Sequence, residues 1–253
     1  SGLRSVRVIR DYGRIFVEHE DSAKEIINRL QNVFGIVSIS PAVVVPLEME
    51  DIKSASLEHF NSMYSGARTF KVDTRRPNKN FPYISPEINK IIGGYLLDHV
   101  SGLSVDIHNP DIILTIEIRQ GNAYIYSEGF RAPGGLPVGV TGKGGLLVSG
   151  GIDSPVAGWL AMKRGIKPVG IHFHSFPFTS ERSKEKVIDL CRELTRYGGE
   201  FELNIVHFTD IQKAIKKHCP EKLYVTVMRR MMFRIAEEIC RRAGCPVLVT
   251  GEN

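Results

Sequence analysis

Apolar positions follow one rhythm along the first half of the chain and another along the second. Residues 4–10 and 14–18 gather strand formers around Asp11-Tyr12-Gly13, a pattern that predicts a strand pair. Ser22 and Glu25 have the spacing of a capping box. Ile26, Ile27, Leu30, Val33 and Phe34 then fall on one helical face, and Gly35 closes the helix. Residues 36–45 read as a strand ended by Pro46, and residues 51–64 as a helix with Ile52, Ala55, Phe60 and Met63 inside. Residues 69–74 alternate as a half-buried strand does, Phe70 and Val72 to one side, Lys71 and Asp73 to the other. Ser85-Pro86-Glu87 opens a third helix, whose Ile88, Ile91, Ile92, Tyr95 and Leu96 face inward. Its internal Gly93-Gly94 costs about 1 kcal/mol per glycine against alanine, which points to close backbone packing. Residues 112–118 and 123–126 meet through Gly121-Asn122, a hairpin signal. Together these elements predict an α+β unit up to about residue 129.

Seven glycines, two prolines and Lys143 occupy residues 129–145, a composition that reads as a linker or a loop feeding a second domain. Strand 146–148, helix 154–164, strand 168–173 and helix 180–197 follow. Strand 201–207, helices 209–218 and 223–243, and strand 246–250 complete the series. Apolar strands alternating with helices predict a doubly wound parallel sheet, where ligands bind at the carboxyl ends of strands. Those ends are residues 149–154, 172–175, 207–209 and 251–253.

The first of these ends stands out. Leu146-Leu147-Val148 runs into the small turn Ser149-Gly150-Gly151, and a helix begins near Ser154 and Pro155. Glycines let a ligand approach the backbone, and the first N–H groups of a helix lack intrahelical partners, so the parts are those of an anion site. Pro155 suits the first helical position, which makes Ser154 the expected N-cap. No Gly-Lys-Ser/Thr follows, so this is not a Walker loop. The turn carries an acid instead, Asp153, which fits a metal or a ribose better than a bare phosphate. Taken alone, the turn fits an ordinary glycine-rich connection equally well.

Composition narrows the picture only slightly. A formal charge of +5 and a pI near 9.0 favour a polyanionic partner mildly. No apolar run approaches the ~18 residues of a membrane span, and no signal-peptide pattern is present, which makes the cytosol the expected compartment. Cys191, Cys219, Cys240 and Cys245 form neither a C-x-x-C pair nor a metal-ligand spacing, and read as buried or incidental thiols. The chain opens on a strand-like segment and stops as a strand finishes, which reads as truncation at both ends. Arg68, Lys71, Arg75, Arg76 and Lys79, with Phe81 and Tyr83, make a basic stretch interleaved with aromatics. Arg4, Arg7, Arg10 and Arg14 make another. Cations neutralise phosphates and rings stack on unpaired bases, as RNA binding requires, although such runs are commonly solvated surface. Met228, Met231 and Met232 at helical spacing with Ile235 read as core. His172 alone reads as a rim histidine, and Arg229 with Arg230 fits a solvated face as well as a site.

The sequence Ser-Gly-Gly-Ile-Asp-Ser at 149–154 resembles the pyrophosphate loop of the ATP-pyrophosphatase enzymes. More narrowly, LLVSGGIDSPVAGWLAMKRG, IHFHSFPFTSERSKEKV, VMRRMMFRIAE and TGEN, in that order, resemble the ThiI family of tRNA 4-thiouridine synthetases. The resemblance implies an adenine nucleotide alpha-hydrolase-like α/β domain over 146–253, joined by a linker at 130–145 to a THUMP α+β domain over 24–129. Residues 1–23 would be the remainder of a ferredoxin-like domain. It further implies that N–H groups of Ser149, Gly150, Gly151 and Ser154 hold ATP phosphates, and that Leu147, Val148, His172, Phe173, Arg229 and Gly251 contact the nucleotide. Asp153 would act in adenylation through Mg²⁺, and Arg229 would stabilise charge as pyrophosphate departs. Arg68, Lys71, Arg75, Arg76 and Lys79 would meet tRNA.

The implied reaction adenylates the uridine at position 8 of tRNA and replaces its oxygen by sulfur, with sulfur supply to the thiazole of thiamine as a second role. Implied partners are tRNA, a cysteine desulfurase as persulfide donor, a thiamine sulfur-carrier protein and a second copy of the chain. The family's sulfur-carrying cysteine would lie beyond residue 253, and none of the four cysteines here stands at its place. Two other readings stay open: another adenylating tRNA-modifying enzyme of the same loop class, and an RNA-binding module whose nucleotide domain is inactive.

Overall fold

A computed structural model describes residues 6–251 apart from 12, 21, 64, 65, 67 and 128. Arg4, Tyr12, Glu252 and Asn253 of the motifs above therefore lie outside the described residues. The chain starts with β1 (Arg7–Asp11), β2 (Arg14–Glu18), α1 (Ala23–Leu30), β3 (Ser38–Ile39) and β4 (Val43–Pro46). Next come α2 (Met49–Met63), β5 (Thr69–Arg75), α3 (Ser85–His99), β6 (Ser104–Val105), β7 (Ile112–Ile118) and β8 (Asn122–Tyr126). The second half holds β9 (Phe130–Arg131), β10 (Lys143–Leu147), α4 (Asp153–Lys163), β11 (Lys167–His174) and α5 (Glu181–Gly198). It ends with β12 (Glu202–His207), α6 (Thr209–His218), a short turn, α7 (Tyr224–Ala243) and β13 (Leu248–Val249). The chain divides into two compact units, one of residues 6–19 and 38–130, the other of 20–37 and 131–251 among the described residues.

The first unit is α+β. Its sheet runs β4-β8-β7-β5-β6, with β5 parallel to β7 and β6, and β8 antiparallel to β7 and β4. Alternation decides its two faces. Val72 and Thr74 stand beside Leu114 and Ile116 and are buried, in a core that includes Ile52, Phe60, Ile88, Ile92 and Leu96 of α2 and α3. On the opposite side Glu117 is enclosed, accepting hydrogen bonds from Arg119 at 2.6 Å, Tyr126 Oη at 3.2 Å and Arg14 Nε at 3.4 Å. Burial works against the Glu117 carboxylate, but the hydrogen bond and charge of Arg119 outweigh it and hold its pKa below the ordinary range. Arg119 also pairs with Asp11 and covers the Phe16 ring, and Phe16 stacks on Tyr124 at 4.6 Å. The β1–β2 hairpin is thus fixed to this face by a charge network. Two expectations change here. A Cβ at Gly93 or Gly94 would meet nothing within 4 Å, so α3 shows no close backbone approach at that pair. The strand expected over 36–45 is broken into β3 and β4.

The second unit is α/β. Its strands are all parallel in the order β12-β11-β10-β13. Leu146 and Val148 point to one face, where they pack with Met162 of α4 and Val187, Cys191 and Leu194 of α5. Gly145 points to the other, against α7, where a Cβ would collide with Cys240 Sγ. Ala236 and Cys240 cover Val169 and Ile171 there. Residues 24–37, read from sequence as part of the α+β unit, pack here instead: Phe34 joins the Leu146 core and lies 5.2 Å from Trp159 and 5.6 Å from Tyr197, ring to ring. The Ser22–Glu25 capping box does not form, since Ser22 makes no side-chain cap bond and Glu25 pairs with Arg29 at 2.8 Å. The glycine-rich segment is fastened to the α4–β11 turn by Leu136 N–H to the Lys163 carbonyl and Gly139 N–H to that of Gly165. Strand β10 begins within it, at Lys143. Among the described residues, no helix is long and apolar enough to cross a membrane.

Candidate functional site

The turn after β10 sits at the carboxyl edge of the parallel sheet, as its sequence predicts. Its closure differs from expectation. Helix α4 starts at Asp153 with Ile152 as its N-cap, so Ser154 lies inside the first turn rather than capping it. Buried Ser154 Oγ accepts the Ser149 N–H at 2.9 Å and donates to the Ser149 carbonyl at 3.2 Å, cinching the loop from within. Ser149 Oγ accepts the Gly151 N–H at 3.3 Å. The N–H groups of Ser149 and Gly151, expected to face an anion, are thus turned inward, while the first amides of α4 keep the open geometry of any helix start. Asp153 is exposed in that first turn.

Two other segments close on the turn. Gly251, after β13, lies so near α4 that a Cβ there would stand 2.7 Å from Ser154 N and from the Asp153 carbonyl carbon. Only glycine lets the two backbones meet in this way. From the other side comes the start of α5. Ser183 Oγ and Lys186 Cδ each lie 3.8 Å from the point a Gly150 Cβ would occupy. Ser180 caps α5 by accepting the Ser183 N–H, and buried His174 holds the helix start to β11 through Glu181 at 3.1 Å. The approach of Ser183 and Lys186 to Gly150 is not legible in the sequence, because a polar helix start reads there only as capping.

His172, at the end of β11, is buried and donates from Nδ1 to the Val148 carbonyl at 2.9 Å. Its Nε2 is buried without a partner among the described residues, and is therefore the acceptor nitrogen. Burial lowers its pKa; the Val148 hydrogen bond opposes that and His174 adds to it. Leu147 and Phe173 are half-buried against the α7-side core, and Val148 is buried on the other face, with its N–H donating to the Ile171 carbonyl at 2.9 Å and its carbonyl accepting from His172. Arg229 is exposed on α7 and lines a hollow of about 620 Å³ with Val225, Thr226, Arg230, Phe233, Arg234 and Glu237. None of the turn residues lines that hollow. Met228, Met231, Met232 and Ile235 are half-buried. Burial pushes the Cys191 thiol up to about 11 and raises those of Cys240 and Cys245, which makes all three poor nucleophiles. No group of three His, Cys, Asp or Glu side chains among the described residues could hold a metal.

The basic stretch of the α+β unit is only partly open. Arg76 donates to the carbonyls of Lys79 at 3.1 Å and Phe81 at 2.9 Å, tying its own loop. Phe81, expected to stack on bases, is a core residue with 6% exposure, whereas Tyr83 is exposed. Arg75 pairs with Asp73 at 3.6 Å. Arg68 and Lys79 are exposed and Lys71 is half-exposed. The Arg68 backbone is pinned by its N–H to Asp111 at 2.9 Å. In the β1–β2 hairpin Arg14 serves Glu117, Arg7 pairs with Glu18 and Arg10 is exposed.

Residues 139–253 match the family model described as "Thiamine biosynthesis protein (ThiI)", 47–128 the THUMP domain, and 1–40 the ThiI ferredoxin-like domain. The "Probable tRNA sulfurtransferase" of Moorella thermoacetica is 55% identical over all of this chain, which covers 64% of that protein. That of Halothermothrix orenii is 50% identical, again over all of this chain and 65% of its own length. A crystal structure of a 4-thiouridine synthetase–RNA complex with bound ATP superposes with a TM-score of 0.92 at 40% identity, over 98% of this chain and 65% of that one. PH1313 from Pyrococcus horikoshii superposes with a TM-score of 0.72 at 30% identity, over 90% of this chain and 88% of that one. The chain thus spans just under two thirds of the length of the curated relatives named.

Proposed function

The chain belongs to the ThiI family, and from that premise we propose that it is the RNA-binding and ATP-binding part of an ATP-dependent tRNA sulfurtransferase. One observation supports the nucleotide half above others: the Ser149–Ser154 turn, the Gly251 backbone and the start of α5 converge at the carboxyl edge of one parallel sheet. The α4 amides and Lys186 hold the phosphates, and the strand ends at Leu147, Val148, His172 and Phe173 lie toward the base. A single exposed carboxylate such as Asp153 fits Mg²⁺, which takes one or two carboxylates and otherwise phosphate and water oxygens. Bound there, it would supply charge neutralisation on the phosphates. Asp153 and Arg229 are the residues assigned to adenylation, Arg229 by stabilising negative charge on the departing pyrophosphate.

The carbonyl oxygen on carbon 4 of uridine 8 attacks the α-phosphorus, the bond to the β-phosphate breaks, and pyrophosphate leaves. The terminal sulfur of a persulfide then attacks carbon 4 and AMP departs with the oxygen; a second thiol attacks the inner sulfur, which breaks the S–S bond and leaves 4-thiouridine and a disulfide. The sulfur reaches the enzyme from a cysteine desulfurase and passes also to a thiamine sulfur-carrier protein, and the cytoplasmic protein works as a homodimer. RNA binding is assigned to the α+β unit, where 47–128 match the THUMP domain, and ATP binding to 146–253, with α1 and Phe34 packed on the latter. Arg68, Lys71 and Lys79 carry the RNA contacts, with Arg75 and Arg76 shaping the surface.

The test is pyrophosphate release from ATP by the full-length protein with unmodified tRNA. Asp153→Ala should slow it by about 10²–10³-fold, the scale on which loss of one transition-state contact acts. An unchanged rate would remove Asp153 from the chemistry. A wild-type protein that binds tRNA and releases no pyrophosphate would favour the inactive RNA-binding module.

A further inference from the structure

Helix α7 is 20 residues long, about 30 Å at 1.5 Å per residue, while β10 has only five residues. Its buried residues, Ala236 and Cys240, lie in its second half, over Val169 and Ile171. Because β13 follows α7 and runs parallel to β10, the first half of α7 belongs to the carboxyl end of the sheet. Residues 225–234 therefore overhang the edge that carries the turn.

The charges of that overhang are unlike those of α5 and of the last turns of α7 itself. Arg192, Arg196, Arg241 and Arg242 each pair with a carboxylate three or four residues away, at 2.6–3.0 Å. Arg230 and Arg234 stand one turn apart, a like-charge spacing that costs a helix stability, and neither side chain has an ion pair among the described residues. The first turn of α7 holds no acidic residue to offset them. They line the 620 Å³ hollow with Arg229, and among the described residues its one carboxylate is Glu237. Val225, 63% exposed, and Phe233, 37% exposed, add an apolar side chain and an open ring to the same face of α7. Cations spaced along one exposed face with an aromatic between them are what a single-stranded nucleic acid backbone and an unstacked base require.

We propose that the Arg230–Phe233–Arg234 overhang of α7 is an RNA site on the α/β unit, taking the phosphodiester backbone beside the nucleotide delivered to the ATP turn. It rests on the functional reading above. Arg230 and Arg234 bind phosphates as paired cations, and Phe233 stacks a neighbouring base.

The experiment measures binding of unmodified tRNA to the full-length protein as a function of salt, with ATP affinity measured alongside. Arg230→Gln with Arg234→Gln should make the slope of log K against log salt shallower by about 1.4–1.8, from two phosphate contacts at about 0.7–0.9 each. ATP affinity should stay unchanged, and Arg230→Lys with Arg234→Lys should restore the slope. Phe233→Ala should weaken binding without changing the slope. An unchanged slope in the glutamine variant would overturn the proposal. So would a parallel loss of ATP affinity, which would give the hollow to the nucleotide, or an unchanged slope with dimer dissociation in sedimentation, which would make it a contact between copies. If the wild type binds no tRNA, the functional reading itself falls, and this site with it.

Discussion

The turn at 149–154 and the basic stretch at 68–79 were both visible as candidate sites, yet the structure treats them differently. The turn is made of backbone. The short β10 strand and the first turn of α4 bound it, and Gly251 arrives from far along the chain to complete it. The basic stretch is made of side chains, and their charge carries no record of what they bind. Arg76 ends up on two carbonyls of its own loop, Arg75 on Asp73, and Phe81 in the core. A site built from main-chain geometry is constrained by sequence. A site built from charge can be taken up by the protein itself.

The sharpest way to break this contrast is Gly251→Ala. A Cβ placed 2.7 Å from Ser154 N must move one backbone or the other, since neither neighbour is a flexible side-chain tip. Such overpacking costs about 1–3 kcal/mol. ATP affinity should fall at least tenfold, because the displaced segment is the first turn of α4. Isothermal titration of ATP into the variant would show it; wild-type affinity would mean that the contact is incidental and the turn is not the site.

That dependence on distant backbone also explains how far sequence could reach. Strand and helix order in the α/β unit was legible because apolar runs and breakers alternate at fixed lengths, and the carboxyl edge then located the turn. The role of Ser154 was misread because Pro155 imitates the first helical position, whereas the hydroxyl is used to close the loop. Phe34 was grouped with the wrong unit because nothing local distinguishes one apolar pocket from another; its partners Trp159 and Tyr197 lie more than a hundred residues away. Lys186 was overlooked for the same reason, its relation to Gly150 existing only in three dimensions.

Lys186 offers the next test, since it is a side-chain cation placed against a backbone-built site. Its stem lies against the turn, and its ammonium can reach an anion held there. Lys186→Ala should weaken ATP binding by about tenfold, the scale of one hydrogen bond to a charged group, while leaving thermal stability alone. ADP and AMP affinities measured in parallel should show a smaller loss as phosphates are removed. An equal loss for all three nucleotides would place Lys186 near the sugar or the base instead.

The smallest effects separate the cations of the basic stretch from one another. Arg76→Ala should lower stability by about 1–2 kcal/mol, the worth of its hydrogen bonds to the Lys79 and Phe81 carbonyls, and denaturant unfolding would read it. It should not change the salt dependence of tRNA binding. Arg68→Ala should do the reverse. Its backbone stays pinned because the N–H bonds to Asp111 do not involve the side chain, so stability holds. Its exposed guanidinium, if it meets one phosphate, contributes about 0.7–0.9 to the salt slope, and that is the change to be measured. Two variants one strand apart, each affecting only one of two observables, would show that position in the fold, rather than charge, decides which arginines reach RNA. If both variants lowered stability and neither moved the slope, Arg68 and Arg76 would both be scaffold, and the RNA contacts of the stretch would fall to Lys71 and Lys79.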